Sequence, residues 1–306
     1  MKPDPDRLER AILRTVAYSD IFDYPLSAAE VHRYLDSAAA SPDEVSAALD
    51  RLSTTVVRDD RGRVALAGRA EIFPVRDRRR RVADRMWPAA RRWSRLIGRL
   101  PLVRMVAITG ALAVDNVDPG DDADLLIVTV AGRVWLCRAM VTQAVRAARL
   151  GGVELCPNWL LAEDTLELAD RSLFAARELA QMVPVAGLPV YRRIRRLNRW
   201  SDRYLPNAIG PPVRCDGGDA EPPFPSRLAE RLALGRVGAA VDRWDRRRKR
   251  REILRATPES TEIVLDASQC KGHVDGHGDR IRRAYAVRLR RLGIDDSAPP
   301  PSGAAG

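Results

Sequence analysis

The pattern of apolar and polar positions over residues 103–130 predicts two buried strands joined by a polar loop. The first apolar run ends at a glycine, Gly110, and the second begins at a pair of acids, Asp122 and Asp124. The intervening residues 115–121 are mostly Asp, Pro, Gly and Asn, the usual turn formers. Residues two apart on a strand face the same side, so the two carboxylates should lie next to each other where the second strand begins.

The N-terminal part of the chain shows helical periodicity followed by a short hairpin pattern. Apolar residues recur at helical spacing from Leu8, and Ser27 and Ser41 each stand three residues before a glutamate, the sequence pattern of a capping box. Two short valine-containing strands flank a polar turn over residues 56–66. This order resembles a winged helix, and a winged-helix-like module is therefore expected over residues 1–69.

Winged helices often bind DNA through their third helix, so the charge of that helix is informative. Here it carries three acidic residues over positions 43–50 against a single arginine, Arg51. The phosphate backbone, which supplies most of the binding energy, would repel it. Arg58, Arg61 and Arg63 in the predicted hairpin weaken this objection without removing it. A structural or protein-contact role is thus favoured over DNA binding.

The remainder of the chain divides by composition and periodicity. We expect a basic connecting helix over 70–100, a small mixed-sheet core over 101–163, a helical region over 164–210, a linker over 211–227, a C-terminal helical region with a histidine-containing loop over 228–294, and a disordered tail over 295–306. The predicted fold class is α+β.

Composition indicates more about the cellular location of the protein than about its function. The formal charge of the 306 residues is +11, but only three basic residues are lysines, a skew typical of high-GC coding sequences. The net positive charge is therefore weak evidence for nucleic-acid binding, although it suits the binding of phosphate-bearing substrates. The four cysteines show no paired spacing, no leader-like segment opens the chain, and no apolar run could span a bilayer. The sequence predicts a cytoplasmic protein without a membrane span.

Paired carboxylates beside a glycine turn suit a two-magnesium phosphoryl-transfer site. The order also resembles the DNA polymerase beta-like nucleotidyltransferase superfamily: a strand, Gly-Ser or Gly-Gly, a loop, then Asp-x-Asp on the next strand. The resemblance implies that the small mixed-sheet core over residues 101–163 is a nucleotidyltransferase core. It also implies that Asp122 and Asp124 hold Mg²⁺ and that backbone groups at Thr109, Gly110 and Ala111 hold the phosphates of a nucleoside triphosphate. Ala111 departs from the family pattern, because a small polar residue usually stands there and adds a hydrogen bond to phosphate.

A third acidic residue of the superfamily lies on a following strand between apolar neighbours. Glu154 occupies the matching position here, at the start of the apolar run 153–161. The resemblance implies that Glu154 completes the metal site or deprotonates the acceptor. An exposed glutamate on an edge strand is the competing interpretation.

Two functional hypotheses follow. In the first, the protein transfers a nucleoside monophosphate from a nucleoside triphosphate to a hydroxyl acceptor, which in relatives of this fold is a small molecule such as an aminoglycoside, a protein side chain or an RNA end. In the second, the fold is catalytically degenerate and serves a winged-helix regulatory or nucleic-acid-binding protein. Ala111 and the positive charge favour the second hypothesis, while the acidic third helix opposes it.

Two of the three histidines lie close together near the C-terminus, in a glycine-rich stretch that contains Cys270, His273 and His277. These residues have a spacing that could serve zinc, with Asp275 or Asp279 as a fourth ligand, but no second ligand pair stands nearby. A loop that binds phosphate or positions the acceptor through Lys271, His273 and His277 is favoured over zinc. A purely structural loop before a helix over 279–292 is the equal alternative.

Overall fold

The apolar positions of the N-terminal segment close a small core of their own. The computed structural model describes residues 5–215, 224–256, 264–271 and 277–294. Helices α1 (Pro5–Asp20), α2 (Ala28–Arg33) and α3 (Pro42–Arg51) pack with the antiparallel hairpin of β1 (Val56–Arg58) and β2 (Val64–Leu66). Both predicted capping boxes are confirmed, at Ser27 and Ser41. Leu26 forms a bridge to Val64, so a short extended segment joins the hairpin. We call residues 5–66 the N-terminal module.

A long basic helix, α4 (Ile72–Gly98), connects this module to the rest of the chain and continues through Pro88. Its arginines are largely structural. Arg76 is buried and pairs with Glu30 at 2.8 Å, and Arg79 donates both to Asp118 and to the carbonyl of Phe22. The indole N–H of the buried Trp87 donates to Asp115 at 2.7 Å. The helix therefore fixes the N-terminal module against the loop that follows Gly110.

The centre of the molecule is a six-stranded mixed sheet, which confirms the α+β class. Its strands are β3 (Val103–Ile108), β4 (Ala123–Thr129), β5 (Leu155–Ala162), β6 (Val183–Ala186), β7 (Val264–Leu265) and β8 (Gln269–Lys271). They lie in the order β6-β3-β4-β5-β8-β7. Only β4 and β5 are parallel, because the helix between them carries the chain back across the sheet.

Helices cover both faces of this sheet. The others are α5 (Gly110–Ala113), α6 (Val134–Leu150), α7 (Leu173–Gln181), α8 (Leu188–Leu197), α9 (Phe224–Leu234), α10 (Arg236–Ala256) and α11 (His277–Arg291). One face, which includes Leu125 and Ile127, packs against α4 and α6. The opposite face, which includes Leu126 and Val128, packs against α7 and α8. Asp124 shares the parity of Leu126 and so faces α7.

The sheet is wider than the sequence predicts. The region 164–210, expected to be helical, contains the edge strand β6, and the C-terminal region 228–294 contributes β7 and β8. These strands are two to four residues long, too short to show a period of two, and their pairing depends on residues distant in sequence. Pro184 lies in the edge strand β6, which is where a sheet tolerates proline.

The structure describes both ends of the predicted linker. Arg214 donates to Asp84 and Asp115, and helix α9 begins at Phe224, so both ends of the region 211–227 belong to folded elements. Its middle part and the predicted tail over 295–306 lie outside the described residues. Across the described ranges, no helix has both the length and the apolar character needed to span a membrane.

A buried carboxylate joins the C-terminal helices to the sheet. Asp242 of α10 accepts hydrogen bonds from the backbone N–H groups of Trp135 and Leu136, both at 2.9 Å, at the start of α6. The residue before α6, Arg133, gives no side-chain cap, so a carboxylate from another helix supplies it.

Asp242→Ala should therefore lower the free energy of unfolding by about 1–3 kcal/mol, because it leaves two buried donors without an acceptor. Urea denaturation would measure the change, with Asp60→Ala as the control, since Asp60 is exposed in the β1–β2 turn. Equal effects of the two substitutions would show that the cap contributes nothing.

Candidate functional site

The Gly110 backbone lies directly against the carboxylate of Asp124. Gly110 has φ +63°, and a Cβ atom at this position would overlap Oδ2 of Asp124. A side chain is thus excluded by the left-handed conformation and by the carboxylate as well. The Thr109 N–H donates to the Asp124 carbonyl at 2.9 Å and sets this register between β3 and β4. The glycine and the second aspartate of the motif are in contact.

Asp122 and Asp124 form an acidic cluster with a thiol and an amide from the neighbouring strand. Asp122 is exposed and Asp124 is half-buried. Cys156 lies opposite Asp124 in the parallel β4–β5 register, and its thiol is within hydrogen-bonding reach of both carboxylates. The register then shifts, and the side chain of Asn158 hydrogen-bonds to Asp124. No local signal in the sequence distinguishes Cys156 or Asn158, since only the pairing of β4 with β5 brings both beside Asp124.

The electrostatics of this cluster show negative charge that no cation among the described residues offsets. Burial, together with the neighbouring Asp122 carboxylate, raises the pKa of Asp124 to about 6, against the hydrogen bonds from Asn158 and Cys156. Burial, followed by the two carboxylates, raises the pKa of the Cys156 thiol to about 12. A bound cation would relieve the repulsion between Asp122 and Asp124.

The side chains of this cluster suit magnesium better than a metal ion that must take all its ligands from the protein. Within the described residues, no group of three or more His, Cys, Asp and Glu side chains is placed to hold a metal ion. Magnesium does not need such a group, because it commonly takes one or two carboxylates and completes its shell with phosphate oxygens and water. Asp122 and Asp124 supply two carboxylates, and Asn158 adds an amide.

The remaining residues of the predicted motif take different positions. Thr109 uses its backbone N–H in the sheet, so that group is not free to bind phosphate. Glu154 is nearly half exposed and pairs with Arg149 at 2.8 Å, while its carbonyl accepts the Ala123 N–H. The structure thus brings Gly110, Ala111 and both aspartates together, and it binds the Glu154 side chain to an arginine.

A further carboxylate, from helix α7, faces the cluster of Asp122 and Asp124. Glu178 is half-buried, and burial, reinforced by the charge of Asp124 and opposed by Lys271, raises its pKa to about 7. Among the described residues its carboxylate makes no hydrogen bond or ion pair. Glu178 is absent from the predictions made on the sequence, and the signal that could have found it is a charged pair, Arg177 and Glu178, in the middle of an apolar helix.

Lys271 lies on the same sheet face, two strands away from Asp124. Lys271 pairs with Trp159 across β5 and β8, and its Nζ lies 4.8 Å from the centroid of the Trp159 ring. The adjacent Cys270 points to the opposite face and is buried in the core against α6. His273 lies outside the described residues, as does the side chain of His277, the first residue of α11.

A cavity of about 360 Å³ opens beside the glycine turn. One wall is the segment from Tyr18 to Tyr24 of the N-terminal module, and another is Gly110 with Ala111. Helix α7 closes it with Phe174, Glu178 and Gln181. Aromatic rings, the carboxylates of Asp23 and Glu178, two side-chain amides and the guanidinium of Arg79 thus surround a space large enough for a small organic ligand.

Comparisons with known proteins do not identify the function of this site. The chain matched no protein-family model, no curated protein and no solved structure. The chemistry of the site must therefore be inferred from its own residues.

The contact between Gly110 and Asp124 can be separated from backbone strain. Gly62 has a similar φ of +70° with nothing within 4 Å of the place that a Cβ atom would occupy, so Gly62→Ala should cost only the left-handed conformation, about 1–2 kcal/mol of unfolding free energy. Gly110→Ala should cost clearly more, because its Cβ also displaces the carboxylate. Urea denaturation of both variants tests this. Equal losses of unfolding free energy would show that the Asp124 side chain can move aside without a measurable penalty.

Proposed function

We propose that the protein is a magnesium-dependent nucleotidyltransferase, which transfers a nucleoside monophosphate from a nucleoside triphosphate to a hydroxyl acceptor. The observation that carries the proposal is the contact between the glycine turn and Asp124, with Asp122 beside it and a cavity opening at the same turn. This arrangement agrees with the resemblance to the DNA polymerase beta-like superfamily. It also explains why a glycine is required at position 110.

Asp122 and Asp124 would hold the metal, with Asn158 as a hydrogen-bonding neighbour. Magnesium bound there supplies charge neutralisation of the triphosphate. The backbone N–H groups at Gly110 and Ala111 would bind phosphate oxygens, as the first N–H groups of a helix have no acceptor within it. Ala111 lacks the side-chain donor that a polar residue would supply at this position, but its backbone N–H and that of Gly110 remain.

Glu178 is placed to serve as the proton acceptor. In the transfer, the acceptor oxygen forms a bond to the α-phosphorus, the bond to pyrophosphate breaks, and the hydroxyl proton must leave. A carboxylate with a pKa near 7 that lines the cavity and has no competing partner among the described residues suits this role. Glu154, bound to Arg149, is the less suitable candidate.

The structure offers little support for the regulatory, DNA-binding alternative. The three arginines of the hairpin segment are all engaged within the protein: Arg58 pairs with Asp50, Arg61 with Asp77, and Arg63 with both Asp59 and Asp77. These cations offset the protein's own acids. The N-terminal module instead contributes a wall of the cavity.

Asp122→Asn and Asp124→Asn should each weaken magnesium-dependent binding of a nucleoside triphosphate by at least about tenfold, since each removes a charged ligand worth upwards of 1.4 kcal/mol. Calorimetric titration with ATP, GTP, CTP and UTP, with and without magnesium, would measure it. The folded state should persist in both variants, because each change removes like-charge repulsion. Asp121→Asn is the matched control, with the same loss of charge one residue away. Wild-type binding by both site variants would refute the metal assignment.

Glu178→Gln should lower the rate of pyrophosphate release from a nucleoside triphosphate by about 10²-fold or more, with water as the acceptor, because the proton acceptor is lost. Binding of the triphosphate should change little, since Glu178 is not among the proposed ligands. Glu154→Gln is the matched comparison and should leave the rate near that of the wild type. The reverse pattern would assign the base to Glu154.

A further inference from the structure

Exposed apolar side chains are concentrated on one part of the surface. Of the twelve large apolar side chains that are exposed within the described residues, six lie between positions 228 and 244. They are Leu228, Leu232, Leu234, Val237, Val241 and Trp244. Val237 is 76% exposed and Trp244 61%, so these are not edges of the core. Such a cluster on helices α9 and α10 marks an interaction surface, which we call the α9–α10 face.

Both helices are held to the body of the protein by their opposite sides. On α9, Glu230 accepts hydrogen bonds from the Leu102 N–H and from Arg104. On α10, Asp242 caps helix α6, and Asp245 is also buried. Helical spacing from these anchors turns Leu232, Val237 and Trp244 away from the sheet, whereas Val241, four residues before Asp245, lies at the edge of the outward side. The exposed residues are thus the outward side of two well-anchored helices.

The α9–α10 face is strongly cationic. Helix α10 carries nine arginine and lysine residues against three acids. Two of those acids, Asp242 and Asp245, are buried, and the third, Glu252, pairs with Lys249 at 2.8 Å. The guanidinium of Arg248 lies 5.0 Å from the centroid of the exposed Trp244 ring. The outward charge is therefore almost entirely positive and lies beside the apolar residues.

The partner of the α9–α10 face has to match both its positive charge and its apolar side chains. A second copy of the chain would place one set of arginines against another, which is unfavourable. A nucleic acid would satisfy the cations but would leave the leucines and valines without apolar contact. The surface of an anionic bilayer satisfies both, since its phosphates meet the arginines and its acyl boundary accepts Leu, Val and Trp. We propose that the α9–α10 face docks the protein on anionic lipid membranes.

This docking is peripheral and independent of the proposed nucleotidyl transfer. An amphipathic helix lies in the plane of the interface with its apolar side chains at the headgroup boundary. The arginines of α10 supply attraction that depends on ionic strength, while Val237 and Trp244 supply attraction that does not. A face with both components binds only where the lipid is anionic.

The test is flotation of the full chain with vesicles. Binding is expected to vesicles of phosphatidylcholine mixed with phosphatidylglycerol, weaker binding in high salt, and none to phosphatidylcholine alone. The double variant Val237→Ser/Trp244→Ser should bind the anionic vesicles at least about tenfold more weakly, since it removes the insertion of two apolar side chains.

The matched control is Leu150→Ser/Val213→Ser, which removes two exposed apolar side chains elsewhere and should bind like the wild type. Denaturation curves should be unchanged in both variants, because all four residues are exposed. The proposal is overturned if anionic vesicles do not bind or if both double variants bind them equally. It is also overturned if the wild type binds single-stranded RNA, or forms a dimer in sedimentation, and the Val237/Trp244 variant loses that interaction instead of vesicle binding.

Discussion

The close approach of the Gly110 backbone to the Asp124 carboxylate is the contact on which the rest of this structure depends. It requires a left-handed residue without a side chain, and a strand register fixed by the hydrogen bond from Thr109 to the Asp124 carbonyl. It also requires a loop that returns from the turn, which the Asn116 N–H holds by bonding to the Ala111 carbonyl at 2.9 Å. Helix α4 fixes that loop through Arg79 and Trp87.

The distribution of charge separates the site from the scaffold. Many structural carboxylates pair with arginine: the guanidinium of Arg79 lowers the pKa of Asp118, and that of Arg63 lowers the pKa of Asp77. Burial raises the pKa of Asp124 and Glu178 instead, and neither makes an ion pair with an arginine among the described residues. Among the described carboxylates that are not exposed, those without an arginine partner are a minority, and one of them, Asp242, has backbone donors instead. The convergence of Asp124 and Glu178 at one end of one sheet face is what a charged substrate or metal would offset.

Local signals in the sequence predicted local structure well. The capping boxes at Ser27 and Ser41, and the Gly110 turn followed by two aspartates, each depend on neighbouring residues and could be predicted. Strands β6, β7 and β8 could not, because each is defined by a partner distant in sequence. Asn158 reaches Asp124 only through a register shift in β5, and Glu178 only because α7 packs over that face. The α+β class followed from periodicity, whereas the width of the sheet depended on its pairing.

The N-terminal module gains a role from the same contacts. Its segment from Tyr18 to Tyr24 forms a wall of the cavity, and the hairpin arginines are paired within the protein. Arg79 donates to the carbonyl of Phe22 on that wall and to Asp118 in the loop before the aspartates. A ligand that displaces Phe22 would therefore pull on the loop that leads into the acidic strand. One guanidinium thus contacts both the wall of the cavity and the loop that precedes the carboxylates.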